Sequence, residues 1–327
     1  MHRGTFNRAQ NARVLHVRIC VPTHLSADVV AYLTDDAAVS SLVVVPGAAV
    51  RPSGDLVLAD LPREAVNDVV DRLVAMGVHR EGSVQIEAVE AWASQAGLEA
   101  ERRAPGAGAD SVVWAEVTHR AYEDSELNWT YLSFMVLATV IAAIAIVLDS
   151  QVLVIGAMVL GPEFGAVAAL GLGIVRRRGR LLRRAAVSLV LGFVVAIAAT
   201  CLLGLLAHAA GWVTVEDMTR PRPGTGFVYT PDAWSFVVAL VAGAAGVLSL
   251  TSSRVGGLAG VFISVTTIPA AGNVALGMAV GVWDEVWGST LQLGINLVGM
   301  AVAGALTLLL QQAVWRRVGR RRTIGAG

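Results

Sequence analysis

The feature that most constrains this chain is a series of apolar stretches beyond residue 126, each long enough to cross a lipid bilayer. A helix needs roughly 20 residues to span about 30 Å of hydrocarbon. Hydrophobic residues make up 55% of the sequence and charged residues 15%. The hydrophobic fraction is higher, and the charged fraction lower, than in ordinary soluble proteins. Six such stretches occur, at residues 127–148, 151–175, 185–210, 233–252, 256–282 and 287–312. The sequence therefore predicts an α-helical, multi-pass membrane protein in contact with the lipid bilayer.

Blocks of arginine indicate how these stretches are oriented. One block, residues 176–184, follows the second stretch, and another, residues 316–322, follows the sixth. By the positive-inside rule both are cytoplasmic, which predicts a plasma (inner) membrane protein with cytoplasmic N- and C-termini. Tryptophan favours the membrane interface, and six of the eight tryptophans lie at predicted span ends: Trp129, Trp212, Trp234, Trp283, Trp287 and Trp315.

The first 94 residues predict a small cytoplasmic α+β domain. Strands at 14–21, 39–45, 56–61 and 83–89 alternate with helices at 25–33 and 63–76. The order βαββαβ is that of the ferredoxin-like, split βαβ motif. This fold serves both ligand sensing and assembly, so we expect it to assemble a homo-oligomer or to regulate the membrane part.

Four regions follow from these patterns. After the domain at 1–94 comes a segment, 95–126, whose first part is rich in Gly, Ala, Arg and Pro and predicts a flexible linker up to residue 110. Residues 111–126 then predict an amphipathic helix on the inner membrane surface. The transmembrane domain covers 127–315, and a basic cytoplasmic tail covers 316–327.

Composition excludes several chemistries. All 25 basic residues are arginines, so a lysine-dependent phosphate loop or Schiff base cannot form. The two cysteines, Cys20 and Cys201, are far apart and form no CxxC motif. There is no HExxH motif and no recognisable nucleophile with its base. We therefore expect no enzyme activity, cofactor, metal centre or nucleic-acid partner.

The membrane part contains a weak, ordered repeat. Ser133-Phe134 opens the first stretch and Ser235-Phe236 opens the fourth. The next stretch of each half is interrupted by proline, at Gly161-Pro162-Glu163 and at Thr266-Thr267-Ile268-Pro269. Because each half has three spans, the two copies would insert in opposite orientations, giving a 3+3 inverted repeat of the kind found in secondary transporters.

Paired helix breaks predict a binding site near the membrane midplane, because each break frees backbone groups that need a partner. Each downstream half-helix would point its positive N-terminus inward, and the two ends could converge. Glu163, an ionisable group beside the first break, is a functional candidate by default. The alternative is that Glu163 only caps its helix or pairs with a distant arginine such as Arg254. The other polar residues of the spans would then only form hydrogen bonds between helices. The candidate binding residues are Gly161, Pro162, Glu163, Thr266, Thr267, Pro269, Asn273, Gln292 and Asn296.

The run Asp149-Ser150-Gln151-Val152-Leu153-Val154-Ile155-Gly156-Ala157-Met158-Val159-Leu160-Gly161-Pro162-Glu163-Phe164-Gly165 resembles the signature of the membrane family called domain of unknown function 389, as does Leu293–Val298. The resemblance covers about residues 112–312. It implies the membrane architecture and adds weight to Pro162, Glu163, Pro269 and Asn296, but it names no substrate. The family usually carries a double proline in the second half, where this chain has Pro269 followed by Ala270.

Three functional hypotheses remain. The first is a secondary transporter of a small ion or polar solute, with its site at the two broken helices. The second is an oligomeric ion channel in which Glu163 side chains form a ring. The third is a non-transporting membrane sensor or scaffold. Substitution of Glu163 by Gln distinguishes them, because it would abolish coupled uptake, alter channel selectivity, or leave a scaffold intact.

Overall fold

A computed structural model describes residues 14–89, 94–103, 112–229, 233–251 and 267–324 of the chain. The chain divides into two compact units. The first is built mainly from residues up to Val117, and the second from residues 118–250 and 254–314.

The first unit contains a four-stranded antiparallel sheet. Its strands are β1 (Val14–Val21), β2 (Ser41–Val50), β3 (Ser53–Pro62) and β4 (Ser83–Ala88), in the spatial order β2-β3-β1-β4. Helix α1 (Thr23–Asp35) joins β1 to β2, and α2 (Val66–Ala75) with the short α3 (Val78–Glu81) joins β3 to β4. The predicted βαββαβ order is confirmed, and the strand order is that of the split βαβ motif.

Alternation along β1 shows why this sequence forms a one-sided sheet. Val17, Ile19 and Val21 are buried, whereas Arg18 between them is exposed, as the two-residue period of a strand requires. The buried side chains join Leu33 of α1 and others in one core. Strand β2 is longer than predicted, because a register shift between Val45 and Ala49 lets the strand continue past Pro46 and Gly47.

The prediction of a flexible linker from residue 95 was wrong at its start. Gln95–Arg103 forms helix α4, because Ala, Leu, Glu and Arg are good helix formers and only Gly97 disfavours the helix. The glycine- and proline-rich residues 104–111 lie outside the described part of the chain.

Helix α5 (Trp114–Asp124) corresponds to the predicted amphipathic helix at 111–126. Its first residues, up to Val117, belong to the first unit and are held within it. Arg63 donates to Glu116 at 2.9 Å, and the Asn67 side chain bonds the carbonyl of Val112 and the backbone N–H of Trp114. These contacts account for the start of the helix; its position on a membrane surface stays a prediction.

The second unit is helical. It contains, up to Leu250 and Val314, the helices α6 (Trp129–Val147), α7 (Gln151–Leu160), α8 (Glu163–Val175), α9 (Gly179–Ala209), α10 (Val215–Thr219), α11 (Ala233–Thr251), α12 (Thr267–Val280) and α13 (Trp283–Ile324). Within the described residues, four helices are long and apolar enough to cross a membrane: α6, α9, α11 and the Trp283–Val314 part of α13. A fifth span results if α7 and α8, bent by 57°, count as one.

Six spans are therefore not confirmed. The predicted fifth stretch, 256–282, is represented by the 14-residue helix α12, too short to cross alone. Residues 252–266, which would precede it, lie outside the described residues.

The outer surface of the helices agrees with a multi-pass membrane protein. Large apolar side chains such as Val152, Leu202 and Leu310 are exposed, as expected where lipid replaces water. The tryptophans near helix ends are also strongly exposed: Trp129, Trp212, Trp234, Trp283 and Trp287. Such rings suit the headgroup layer.

Candidate polar site between two broken helices

Two helix N-termini meet inside the second unit. Glu163 is the first residue of α8 and Thr267 the first of α12, and both are fully buried. The Thr267 hydroxyl donates to Glu163 Oε1 at 2.7 Å. Residues from the two predicted proline breaks, distant in sequence, are thus in direct contact.

The prolines explain where these two helices begin. Pro162 lacks an N–H and stands as the N-cap of α8, directly after the end of α7. Pro269 lies in the first turn of α12, where its missing N–H costs nothing. Pro162 therefore defines a helix start at which backbone N–H groups of α8 can face a polar group, and Pro269 is the third residue of α12.

Helix α9 shows that α8 and α12 approach each other from opposite ends. Gly173, near the end of α8, lies against Leu182 at the start of α9. Gly204, near the end of α9, lies against Ala279 at the end of α12. Since Leu182 and Gly204 are about 33 Å apart along α9 at 1.5 Å per residue, the C-termini of α8 and α12 are at opposite ends and their N-termini face each other.

This arrangement places a carboxylate between two positive helix ends. Each helix N-terminus is equivalent to roughly half a positive charge, so two of them offset about one negative charge. A buried carboxylate without such compensation would be very costly. The two facing helix N-termini therefore supply the compensation that a buried Glu163 carboxylate needs.

The carboxylate is nearer one end of α6 than its middle. Gly272 of α12 packs against Thr139 and Ala142 of α6, and Thr267 lies five residues earlier, about 7 Å along its helix. With α6 about 28 Å long, Glu163 lies roughly one third of the way from its N-terminal end.

An open cleft of about 390 Å³ reaches toward Glu163 from the start of α6. Its lining residues are Glu123, Asp124, Glu126, Asn128, Thr130, Tyr131, Phe134, Gly161, Pro162, Phe164 and Gly165. Glu163 itself does not line the cleft, although both of its sequence neighbours do. Partial burial, and then the nearby charge of Glu123, raise the pKa of Asp124 above its ordinary value.

A second polar cluster surrounds Arg222, which precedes α11. One guanidinium nitrogen of Arg222 lies 2.5 Å from both carboxylate oxygens of Glu285, at the start of α13. The two side chains are 0% and 11% exposed. Asn273 accepts from Arg222 at 3.3 Å and donates to Glu285 at 3.0 Å and to Ser289 at 2.9 Å. The ring of Tyr229 covers the guanidinium at 4.7 Å.

From its depth along the span, the sequence predicts Asn273 beside Glu163. The structure instead places Asn273 beside Arg222 and Glu285. It lies six residues, about 9 Å, beyond Thr267 on α12, and the Arg222–Glu285 pair occupies its side chain. Thr266, another predicted site residue, lies outside the described residues, as does Arg254, the alternative partner for Glu163.

Gln292 and Asn296 are fully buried on α13. Helices α12 and α13 are joined by a turn in which Gly281 has a positive φ. The two helices therefore run side by side in opposite directions, and the Asn273 amide donates a hydrogen bond to the Ser289 hydroxyl. Counting away from that pair at 1.5 Å per residue, Asn296 reaches about the level of Thr267. Gln292 lies between the two levels, and neither polar atom of its side chain has a hydrogen-bond partner among the described residues.

Sequence reasoning missed Arg222, Glu285, Ser289 and Tyr131. The loop charges had served only to orient the spans. A signal was present, since Arg220 and Arg222 occur on the predicted extracytoplasmic side, where the positive-inside rule gives arginine no role. Within the described ranges, no three His, Cys, Asp or Glu side chains lie together as a metal site.

Comparison with known families finds a match over the part of the chain that carries these residues. The family model described as Domain of unknown function (DUF389) matches residues 158–302. These residues form a DUF389 domain. The domain contains the first residues of α8 and α12, the Arg222–Glu285 pair and the buried polar face of α13. The Glu163–Thr267 hydrogen bond and the contacts of Asn273 therefore both lie inside it.

The chain is also similar to an uncharacterized protein of Methanocaldococcus jannaschii, with 24% identity over 191 residues. That similarity covers 58% of this chain and 57% of the relative's length. No solved structure matches the chain. The family and the relative support the resemblance noted in the sequence, and neither names a solute or an activity.

Proposed function

We propose that the protein is a secondary transporter of a small ion or polar solute, with its binding site at the meeting of α8 and α12. The observation that carries this proposal is the fully buried Glu163 carboxylate, bonded by Thr267 from the second broken helix. A membrane protein gains little stability from burying a carboxylate between two interrupted helices. Ionisable groups in such positions usually serve proton or solute movement.

The opposed approach of α8 and α12 supports a 3+3 inverted repeat, in which equivalent half-helices enter the site from opposite membrane surfaces. In the proposed topology the arginine-rich turn after α8 and both termini are cytoplasmic, in the plasma membrane. The segment between α9 and α11 is then extracytoplasmic. The cytoplasmic α+β unit would assemble a homo-oligomer or regulate transport.

In this topology the acidic cleft gives the site an approach from the cytoplasmic side. Its lining includes Gly161 and Pro162, the two residues before Glu163 in the sequence. The C-terminus of α7 also ends there, and its partial negative charge favours cations near the cleft. A cation or proton would thus be concentrated close to the site before reaching it.

The channel hypothesis, a ring of Glu163 side chains between subunits, requires that carboxylate to face a pore. Glu163 is instead 0% exposed within one chain. A carrier, in which the site opens only after a conformational change, agrees better with this burial.

Flux in proteoliposomes tests the proposal. Purified protein is assayed for uptake of a panel of small ions, metabolites and protons, in parallel with Glu163→Gln and the control Glu216→Gln. The control makes the same chemical change at an exposed position of α10. We expect a flux that Glu163→Gln abolishes and Glu216→Gln preserves. Folded protein without any flux would contradict a transporter and favour the sensor or scaffold.

A further inference from the structure

Residues 210–229, the described part of the α9–α11 segment, cover one end of the polar interior of the second unit. Arg220 donates to the carbonyl of Val147, the last residue of α6, at 2.6 Å. Asp149 accepts from the backbone N–H of Gly224 at 3.2 Å and from the Thr225 hydroxyl at 2.9 Å. These bonds hold the segment over the ends of α6 and its neighbours.

Arg222 brings a charge from this segment into the interior. Its side chain is 0% exposed and forms the ion pair with Glu285. A buried ion pair adds little net stability compared with apolar packing, yet breaking it inside the protein is costly. Any opening of this end of the interior would therefore have to bring both charges into water together, since neither charge can stay buried alone.

Beneath this pair lies a column of buried polar side chains. Ser289, Gln292 and Asn296 follow one another along one face of α13, all fully buried, and lead toward the level of Thr267. Gln292 leaves its amide oxygen and nitrogen without partners in the described part of the chain. Because buried amides normally have hydrogen bonds, this column can accept water or a polar solute once the pair above it opens.

One short helix connects the pair to the candidate site. Helix α12 bonds Glu163 through Thr267 and bonds the ion pair through Asn273. The two residues are about 9 Å apart on a single helix, which moves as a unit. A change at Glu163 that breaks the Thr267 hydrogen bond can therefore reach Asn273 through a rigid element.

We infer that the Arg222–Glu285 pair is the gate that closes the site on the side of the α9–α11 segment, and that α12 opens this gate when the Glu163–Thr267 bond is released. This inference rests on the proposed function, because a gate serves a purpose only if a solute passes through the site. Closure itself is a property of the fold that can be measured without transport.

Thiol labelling tests the gate. Cys20 and Cys201, the two cysteines of the chain, are first replaced by serine, and Gln292→Cys then serves as the reporter in the full-length chain in vesicles. A membrane-impermeant thiol reagent is added to each side in turn. Ser289→Cys, a nearly isosteric change, is a second reporter in case the first variant does not fold.

The gate is opened by Arg222→Gln with Glu285→Gln, which removes both charges and leaves no lone buried ion. The labelling rate is proportional to the fraction of molecules with an open gate. If the native gate is open a few per cent of the time, the double variant should be labelled roughly tenfold faster or more. The control is His24→Gln with Glu81→Gln, an exposed pair 3.9 Å apart in the first unit. Thr267→Val should also accelerate labelling, through α12.

Faster labelling from the α9–α11 side in the double variant, with no change in the control, supports the gate. Equal rates in the native and double-variant backgrounds would overturn it, as would an equal increase in the control. Accelerated labelling without any flux would retain the gate and reject the transporter. A Glu163-dependent flux with unchanged labelling would retain the transporter and reject the gate.

Discussion

Replacing Thr267 by Val removes one hydroxyl from the contact between the two broken helices. Valine has nearly the same shape and is also β-branched, so the start of α12 should persist. The lost bond is 2.7 Å long, fully buried and donated to a carboxylate. Hydrogen bonds to charged groups contribute about 1.5–3 kcal/mol, and the variant should lose about that much stability.

Thr139→Val is the matched control. Thr139 is equally buried and also bonds at 2.7 Å, but its acceptor is the Met135 carbonyl one turn earlier in the same helix. That carbonyl can keep its ordinary helical bond when the hydroxyl is removed, so the loss should be below about 1 kcal/mol.

Reversible unfolding of both variants in mixed detergent micelles, followed by tryptophan fluorescence, measures the difference. We expect Thr267→Val to lose more stability than Thr139→Val by roughly 1–2 kcal/mol, from the two ranges above. Combining Thr267→Val with Glu163→Gln should show strong non-additivity. Equal losses in the two threonine variants, or additive losses in the double variant, would refute the reasoning that the hydroxyl bonds the carboxylate.

Three further predictions concern other parts of the second unit. Glu285→Gln alone should destabilise the fold by about 3–5 kcal/mol, because the buried charge of Arg222 loses its partner, and thermal unfolding should show that Arg222→Gln added to it restores part of the loss. Gly243→Ala should impair folding, because the added methyl would lie 2.5 Å from the Met300 carbonyl of α13; Gly156→Ala has open space and should keep or slightly increase stability, as measured by detergent unfolding. Since the pKa of Asp124 is raised in the folded state, its contribution to stability is present below the ordinary carboxyl pKa and is lost as pH rises through the folded value; Asp124→Asn should therefore flatten the pH dependence of unfolding in that window, and an unchanged profile would contradict the assignment.

Much of the first unit could be predicted from sequence because its signals are local. Alternating apolar residues such as Val17 and Ile19, turn residues between strands, and one amphipathic helix per crossover fix the element order. The end of β2 was missed, since Pro46 and Gly47 normally end a strand and only pairing with β3 extends it. Tertiary pairing of this kind is not visible in local patterns.

The candidate site was predictable in part, because the helix interruptions that form it are also local signals. Proline in an apolar stretch kinks or breaks a helix unless it lies in the first turn, so interruptions near Pro162 and Pro269 followed from sequence. Their contact through Glu163 and Thr267 was a hypothesis of convergence, and the described structure brings the two residues together. The partner of Asn273 depends on a loop that folds back onto the helix ends, and depth along a span could not reveal it. The count of six spans remains a prediction.

The most direct test of the central claim is infrared difference spectroscopy of the Glu163 carboxyl group. Reconstituted protein is compared with and without each transported ion or solute, in the native chain, Glu163→Gln and the Glu216→Gln control. We predict a change in a buried carboxyl band on solute addition that is absent in Glu163→Gln and retained in the control. A transported solute that leaves every carboxyl band unchanged, or a band that persists in Glu163→Gln, would contradict a binding site between the two broken helices.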